Sequence, residues 1–209
     1  MHLFLKQETD FSFELILAND TSSDNTEKII ARYRQKYPKI IKGFENINNI
    51  GPRSNFIKAY KNAAGNYIAM CEGDDFWTDP LKLQQQFDFL EKNSDYILTF
   101  HDILMIDADG NNIEKDRLPD KDKKDYEKDE LLTGPYLPTP TLFFRKFDIT
   151  NYVTAFSKAF NGDSLLLSIL TQKGKTKYLP EIVGSVVRLH SGGVWSSTTY
   201  LDRWNHSLN

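Results

Sequence analysis

The sequence predicts an α/β protein with a mostly parallel sheet flanked by helices. Two observations carry that expectation. Strand-like apolar runs alternate with helix-like patterns through the first half of the chain. With 209 residues and 40% hydrophobic content, the chain is also long enough to bury one substantial core. A third feature, an acidic loop directly after one of those strands, lies where open α/β sheets bind their ligands.

The elements follow in order. Phe13–Ala18 reads as a strand, and Asn19–Ser23 as a polar turn. Asp24 opens a helix with Glu27 three residues on, a capping-box-like start. Ile29, Ile30, Tyr33 and Tyr37 give that helix its apolar face, and Pro38 ends it. Lys39–Phe44 is a second strand, and Asn48–Pro52 a turn. Ser54 caps a helix carrying Phe56, Ile57, Tyr60 and Ala64, with Gly65 at its end. Tyr67–Cys71 is the strand before the acidic loop, and a helix from Leu81 presents Leu83, Phe87 and Leu90.

The second half changes character. Tyr96–Ile106 reads as one long β-rich stretch, and Asp107–Glu130 as a solvated excursion without chemistry. Thr139–Phe144 is a strand, Asp163–Gln172 a buried helix, and Tyr178–His190 a set of strands. Ser191, Gly192 and Gly193 form a hinge-like segment with Trp195 beyond it.

Composition excludes several functions. A net charge of −3, from 26 basic and 29 acidic residues, provides no basic field to recruit nucleic acid. The single cysteine, Cys71, rules out a disulfide framework and a cysteine zinc cluster, and reads as a small core residue. No apolar run reaches the ~20 residues of a membrane span, and the N-terminus lacks a signal-peptide core. A cytoplasmic location is expected, compatible with peripheral attachment at the inner membrane face.

Chemistry concentrates in Cys71–Pro80. Glu72, Asp74 and Asp75 repel one another unless a cation shares them, and Mg²⁺ or Mn²⁺ with substrate phosphate is the economical occupant. The plainer reading is a capping turn, with Asp79 as N-cap and Pro80 in the first helical position. It accounts for Asp79 but leaves the other three acids unexplained. Asp20, at the end of the first strand, suits a ribose hydroxyl or base N–H equally as well as an Asx-turn.

These pieces together resemble family 2 glycosyltransferases. Phe13–Thr26 is similar to their strand followed by "DDGSTDNT", and Asn49–Phe56 to the "NxG…RN" turn. Gly65–Trp77 is similar to "GxYIAxxDxDD-W", and Asp79–Leu83 to the "PxKL" helix start. Asn161-Gly162-Asp163 resembles the acceptor-side "ED/GD" motif, and Arg188–Ser196 the "RxHxGG" loop. The resemblance covers nearly the whole chain in matching order.

It implies a GT-A fold and transfer of a sugar, with inversion, from a nucleotide-diphosphate donor to a saccharide or lipid-linked saccharide acceptor in cell-surface polysaccharide or glycolipid synthesis. By this resemblance Asp20, Arg53, Asp74 and Arg188 bind the donor, and Asp74, Asp75 and His190 serve Mn²⁺ or Mg²⁺. Asp163 is the general base. One domain over 1–209 divides into a nucleotide-sugar half, 1–95, and an acceptor half, 96–209.

Three departures stand out. Glu72 and Asn19 replace aspartates of the family pattern, and the opening "VSVIIPxYN" strand has no counterpart. The chain therefore reads as N-terminally truncated, with an exposed sheet edge that invites homo-oligomer formation. That feature motivates the alternative of a weak or inactive GT-A-like binding module. A nucleotidyltransferase ranks behind both, because no Gly-rich phosphate loop precedes the acids.

Overall fold

Leu15–Asn19 (β1) and Ile41–Glu45 (β2) pair in parallel, with Leu15 opposite Ile41 and Asn19 opposite Glu45. They open a computed structural model that describes residues 1–113, 118–132, 134–135, 137–159 and 161–190. Helices Thr26–Lys36 (α1) and Pro52–Asn62 (α2) accompany this pair. The chain passes through Tyr67–Ala69 (β3) into Phe76–Trp77 (β4), Lys82–Lys92 (α3), Tyr96–Phe100 (β5), Ile103–Ile106 (β6) and Phe143–Arg145 (β7). Val153–Lys158 (α4), Gly162–Thr171 (α5), Lys175–Tyr178 (β8) and Ser185–Arg188 (β9) complete it.

Two compact units result. One comprises Phe11–Ile68 and Lys146–Gly162, the other Met1–Asp10, Ala69–Arg145 and the chain from Asp163 onward. The first unit buries Ile30, Ile41, Ile57, Tyr60 and Phe156, with Phe56 and Phe156 rings 5.5 Å apart. In the second, Leu90, Leu98, Phe100, Leu142, Phe144, Leu166 and Leu170 are fully buried. There β5 runs parallel to β8 and antiparallel to β7, while β9 runs parallel to β6 and antiparallel to β4.

Several boundaries differ from expectation, each for a local reason. Asp24 Oδ1 accepts Thr26 N–H, so α1 starts after an Asx-turn. Glu27 is engaged by Asn19 Nδ2 at 2.9 Å and does not complete a capping box. Ser54 lies inside α2, which begins at Pro52 because Gly51 takes a positive φ of 80° and proline is preorganised for the first helical position. Asp79 Oδ1 accepts Leu81 N–H, and α3 starts only at Lys82. Its Leu83 N–H is capped by Gln7 Oε1, 76 residues away in sequence.

The long β-rich stretch breaks at His101-Asp102 into β5 and β6. Prolines 138 and 140 turn Thr139–Thr141 into a 3₁₀ helix, leaving only Phe143–Arg145 as strand. The described part of the polar segment is no free excursion. Leu118 and Tyr126 are buried, as is Leu131 just after it, Tyr126 bridges Thr176, and Asp125 takes Lys177 Nζ at 2.9 Å.

Candidate functional site

The acidic loop is positioned by a short antiparallel ladder: Phe76 pairs with Val186 and Trp77 with Ser185. Gly184 allows the close approach, because a Cβ there would lie 2.4 Å from the Cβ of Asp79. Upstream, Met70 N–H donates to Leu142 O as the chain leaves β3. The loop Cys71–Asp75 is thereby carried between two strand ends.

Its acids have distinct surroundings. Asp74, with 41% of its side chain exposed, places Oδ2 2.8 Å from His190 Nε2. Asp75 is only 8% exposed, and its Oδ1 accepts the Arg188 N–H at 3.0 Å. Glu72 stands at the rim, where desolvation by surrounding protein, then the charges of Asp75 and Asp163, push its pKa up to about 7. Glu72 nonetheless keeps an exposed position at that rim. Desolvation, then Asp75 and Glu72, push the Cys71 thiol far above its ordinary value, which makes it an unreactive thiol.

Asp163 occupies the first turn of α5. Its Oδ2 accepts a hydrogen bond from Thr139 Oγ1 at 3.2 Å, and Thr139 is 3% exposed. The segment bearing Thr139 is held from behind. Trp77 Nε1 and Ser185 Oγ both donate to Pro140 O, at 2.8 and 2.7 Å, and Gln86 Nε2 donates to Thr141 O at 2.9 Å. Gln86 Oε1 in turn accepts from the fully buried Lys82 Nζ, which lies 4.3 Å from the centre of the Trp77 ring. His101, also fully buried, approaches Ser185 Oγ with Nε2, and burial followed by the Lys82 charge holds it neutral.

One unit thus brings Glu72, Asp74, Asp75, Asp163 and His190 into a common neighbourhood. Asp20 and Arg53 belong to the other unit. Asp20 Oδ1 accepts from Asn46 Nδ2 and from Ile50 N–H, both at 2.9 Å, so this carboxylate organises the 46–50 loop. Arg53 lies in the first turn of α2. Arg188 sets its guanidinium against the carbonyls of Asp107 and Ala108, at 3.5 and 3.4 Å. The expected hinge Ser191-Gly192-Gly193 and Trp195 lie outside the described residues.

Sequence reasoning missed Thr139, Lys82, Gln86, His101 and Ser185 as supports of the site. Only their burial and long-range bonds reveal them.

Among the described residues no three His, Cys, Asp or Glu side chains already converge as a metal cage. Mg²⁺ and Mn²⁺ do not require one. They take one or two carboxylates and complete their shell with water and phosphate. Asp74 beside His190, in a cluster with excess negative charge, fits that requirement.

Residues 2–160 match the family described as Glycosyl transferase family 2. An uncharacterized protein of Mycobacterium tuberculosis (strain ATCC 25618 / H37Rv) is 34% identical over 200 residues, covering 96% of this chain and 56% of its own. Among solved structures, S. aureus TarS 1–349 in complex with UDP-GlcNAc superposes with a TM-score of 0.63 at 18% identity, over 95% of this chain and 56% of that TarS 1–349 chain. The mannosyltransferase PcManGT from Pyrobaculum calidifontis, in complex with GDP-Man and Mn²⁺, gives 0.62 at 13% identity, over 92% and 52% of the two chains. These likenesses establish the fold, that of the GT-A transferases. The chain spans about half the length of the curated relatives it matches. It belongs to glycosyl transferase family 2.

Proposed function

We propose that this member of glycosyl transferase family 2 transfers a sugar, with inversion, from a nucleotide-diphosphate donor to a saccharide or lipid-linked acceptor hydroxyl. The observation that carries the reading is the site of one unit: Asp74 paired with His190, and Asp163 held by Thr139, around shared excess negative charge.

Asp163 is the base. Its carboxylate takes the acceptor proton as the acceptor oxygen bonds to the anomeric carbon and the bond to the donor diphosphate breaks. The Thr139 hydroxyl on Oδ2 fixes the rotation of that carboxylate, a positioning demand that proton transfer makes. Asp74 and His190 would hold Mn²⁺ or Mg²⁺, which supplies charge neutralisation to the departing diphosphate. Arg188 would serve the same phosphates by leaving the carbonyls of Asp107 and Ala108, and Asp20 acts on donor binding through the 46–50 loop it orders, with Arg53 a second donor-binding residue of that unit. A surface-polysaccharide or glycolipid product, made at the cytoplasmic membrane face, suits such an acceptor. No helix among the described residues is long and apolar enough to cross a membrane.

The test is titration calorimetry of UDP, GDP and dTDP with and without Mn²⁺. At least one nucleotide is expected to bind in a Mn²⁺-dependent way, and Asp74→Ala to remove that dependence with the fold intact by circular dichroism. Undiminished Mn²⁺-dependent affinity in Asp74→Ala overturns the assignment.

A further inference from the structure

Asp74 and Asp75 are adjacent, but their surroundings assign them different work. We propose that Asp75 is a positioning residue: its carboxylate fastens the backbone at the end of β9 and so sets His190 against Asp74. The inference rests on the reading of the Asp74–His190 pair as the cation-holding end of the site.

The reasoning starts from the ladder. β9 is the middle strand of its sheet, with β6 on one side and β4 on the other. On the β6 side, Leu189 N–H donates to Ile106 O at 2.8 Å. Backbone N–H groups alternate along a strand, so Arg188 N–H faces the opposite side. There β4 is only Phe76–Trp77, registered with Val186 and Ser185, and it ends before it can offer Arg188 a carbonyl within the ladder. A half-buried donor without a partner is costly. Asp75 Oδ1 fills that place at 3.0 Å, extending the ladder by one side-chain rung.

Burial separates the two acids further. Asp75 is 8% exposed, whereas Asp74 leaves 41% of its side chain open beside His190. The two bonds, Asp75 to Arg188 and Asp74 to His190, meet the strand end two residues apart. One clasps the backbone and the other meets the imidazole. Ionised acceptors make the stronger backbone hydrogen bonds, so a carboxylate suits this rung, and an amide oxygen of the same shape can replace it. That last point sets a clamp apart from a metal ligand.

The experiment compares Asp75→Asn, Asp75→Ala and Asp74→Asn by two readouts: calorimetry of UDP and GDP with Mn²⁺, and amide hydrogen exchange across 185–190 in the protein alone. Asp75→Asn should bind within about threefold of the parent and keep Arg188 protected. Asp75→Ala should lose about tenfold or more in affinity and expose the Arg188 amide, while Asp74→Asn loses affinity with Arg188 still protected. A fall for Asp75→Asn as large as that for Asp74→Asn overturns the clamp. If the parent binds neither nucleotide with Mn²⁺, and dTDP fails as well, the proposed function fails on its own. The exchange data still decide, because equal Arg188 protection in the parent and Asp75→Ala overturns the clamp. Should Asp75→Ala not fold, Asp75→Asn alone decides by the same criterion.

Discussion

Asp20 and Asp74 each follow a short strand, β1 and β3, yet the chemistry around them is opposite. Asp20 sits among amides. Asn46 and Ile50 donate to its carboxylate, Asn49 to its carbonyl, and Asn46 reaches on to Asn55. Amide and backbone donors satisfy that carboxylate, and the result is an ordered loop. Around Asp74 the balance reverses, with Asp75 and Asp163 close enough to perturb Glu72 and with His190 in contact with Asp74. A carboxylate surrounded by donors builds structure, whereas carboxylates surrounded by one another wait for a cation.

The most damaging way to challenge that contrast is to remove one acid from the cluster while keeping its shape. Asp163→Asn retains an oxygen for the Thr139 hydroxyl but cannot take a proton. Sugar transfer should fall by about 10²–10⁴-fold, with donor affinity nearly unchanged. Transfer at the parent rate, in an assay where the parent is active, would remove Asp163 from the base role.

What the sequence makes legible follows the same division. Glu72, Asp74 and Asp75 stand out because charge density is a local property, and Asp163 because it heads an apolar helix. The fold class was legible from the alternation of elements up to α3. The supports were not. Thr139 meets Asp163 across 24 residues, and Gln86 reaches Thr141 across 55, distances over which no periodicity carries information. Gln7 capping α3 shows why helix starts slip: the cap comes from a segment that local reasoning assigns elsewhere. The polar run Asp107–Glu130 misled because apolar residues such as Leu118 and Tyr126 were outvoted by charge, yet these two, with Leu131 just beyond it, are buried and anchor it.

Lys82 offers an intermediate test, because it is a buried amine beneath the acidic side of the contrast. Burial lowers its pKa from 10.5 to about 7, despite the opposing influence of Cys71 and Asp79. The folded protein therefore releases the proton more readily than the unfolded chain. Above about pH 7 the unfolded state binds more protons, and stability rises with pH. The slope approaches about 1.4 kcal/mol per pH unit at most. The raised Cys71 thiol acts in the opposite direction as pH nears its unfolded value, so the clean window is about pH 7 to 8. Urea unfolding across that window should show the parent gaining stability relative to Lys82→Met. Parallel profiles for the two proteins would show that Lys82 titrates normally.

The smallest expected effect lies on the Asp20 side, in the turn those amides organise. Thr21 has a φ of 60°, in the left-handed region that β-branched residues rarely enter. Its hydroxyl donates to Asp20 O at 2.6 Å, an exposed local bond that offsets little of the strain. For L-residues the left-handed conformation costs about 1–2 kcal/mol. Glycine removes that cost but brings greater backbone freedom to the unfolded chain, worth about 0.5–1 kcal/mol in the opposite sense. Thr21→Gly should therefore stabilise by about 0.5 kcal/mol, a rise in Tm of about 1–2 °C for a chain of this size. Scanning calorimetry of the parent and the variant decides it, and a variant that melts lower shows that the turn relies on the threonine hydroxyl more than it suffers from the backbone angle.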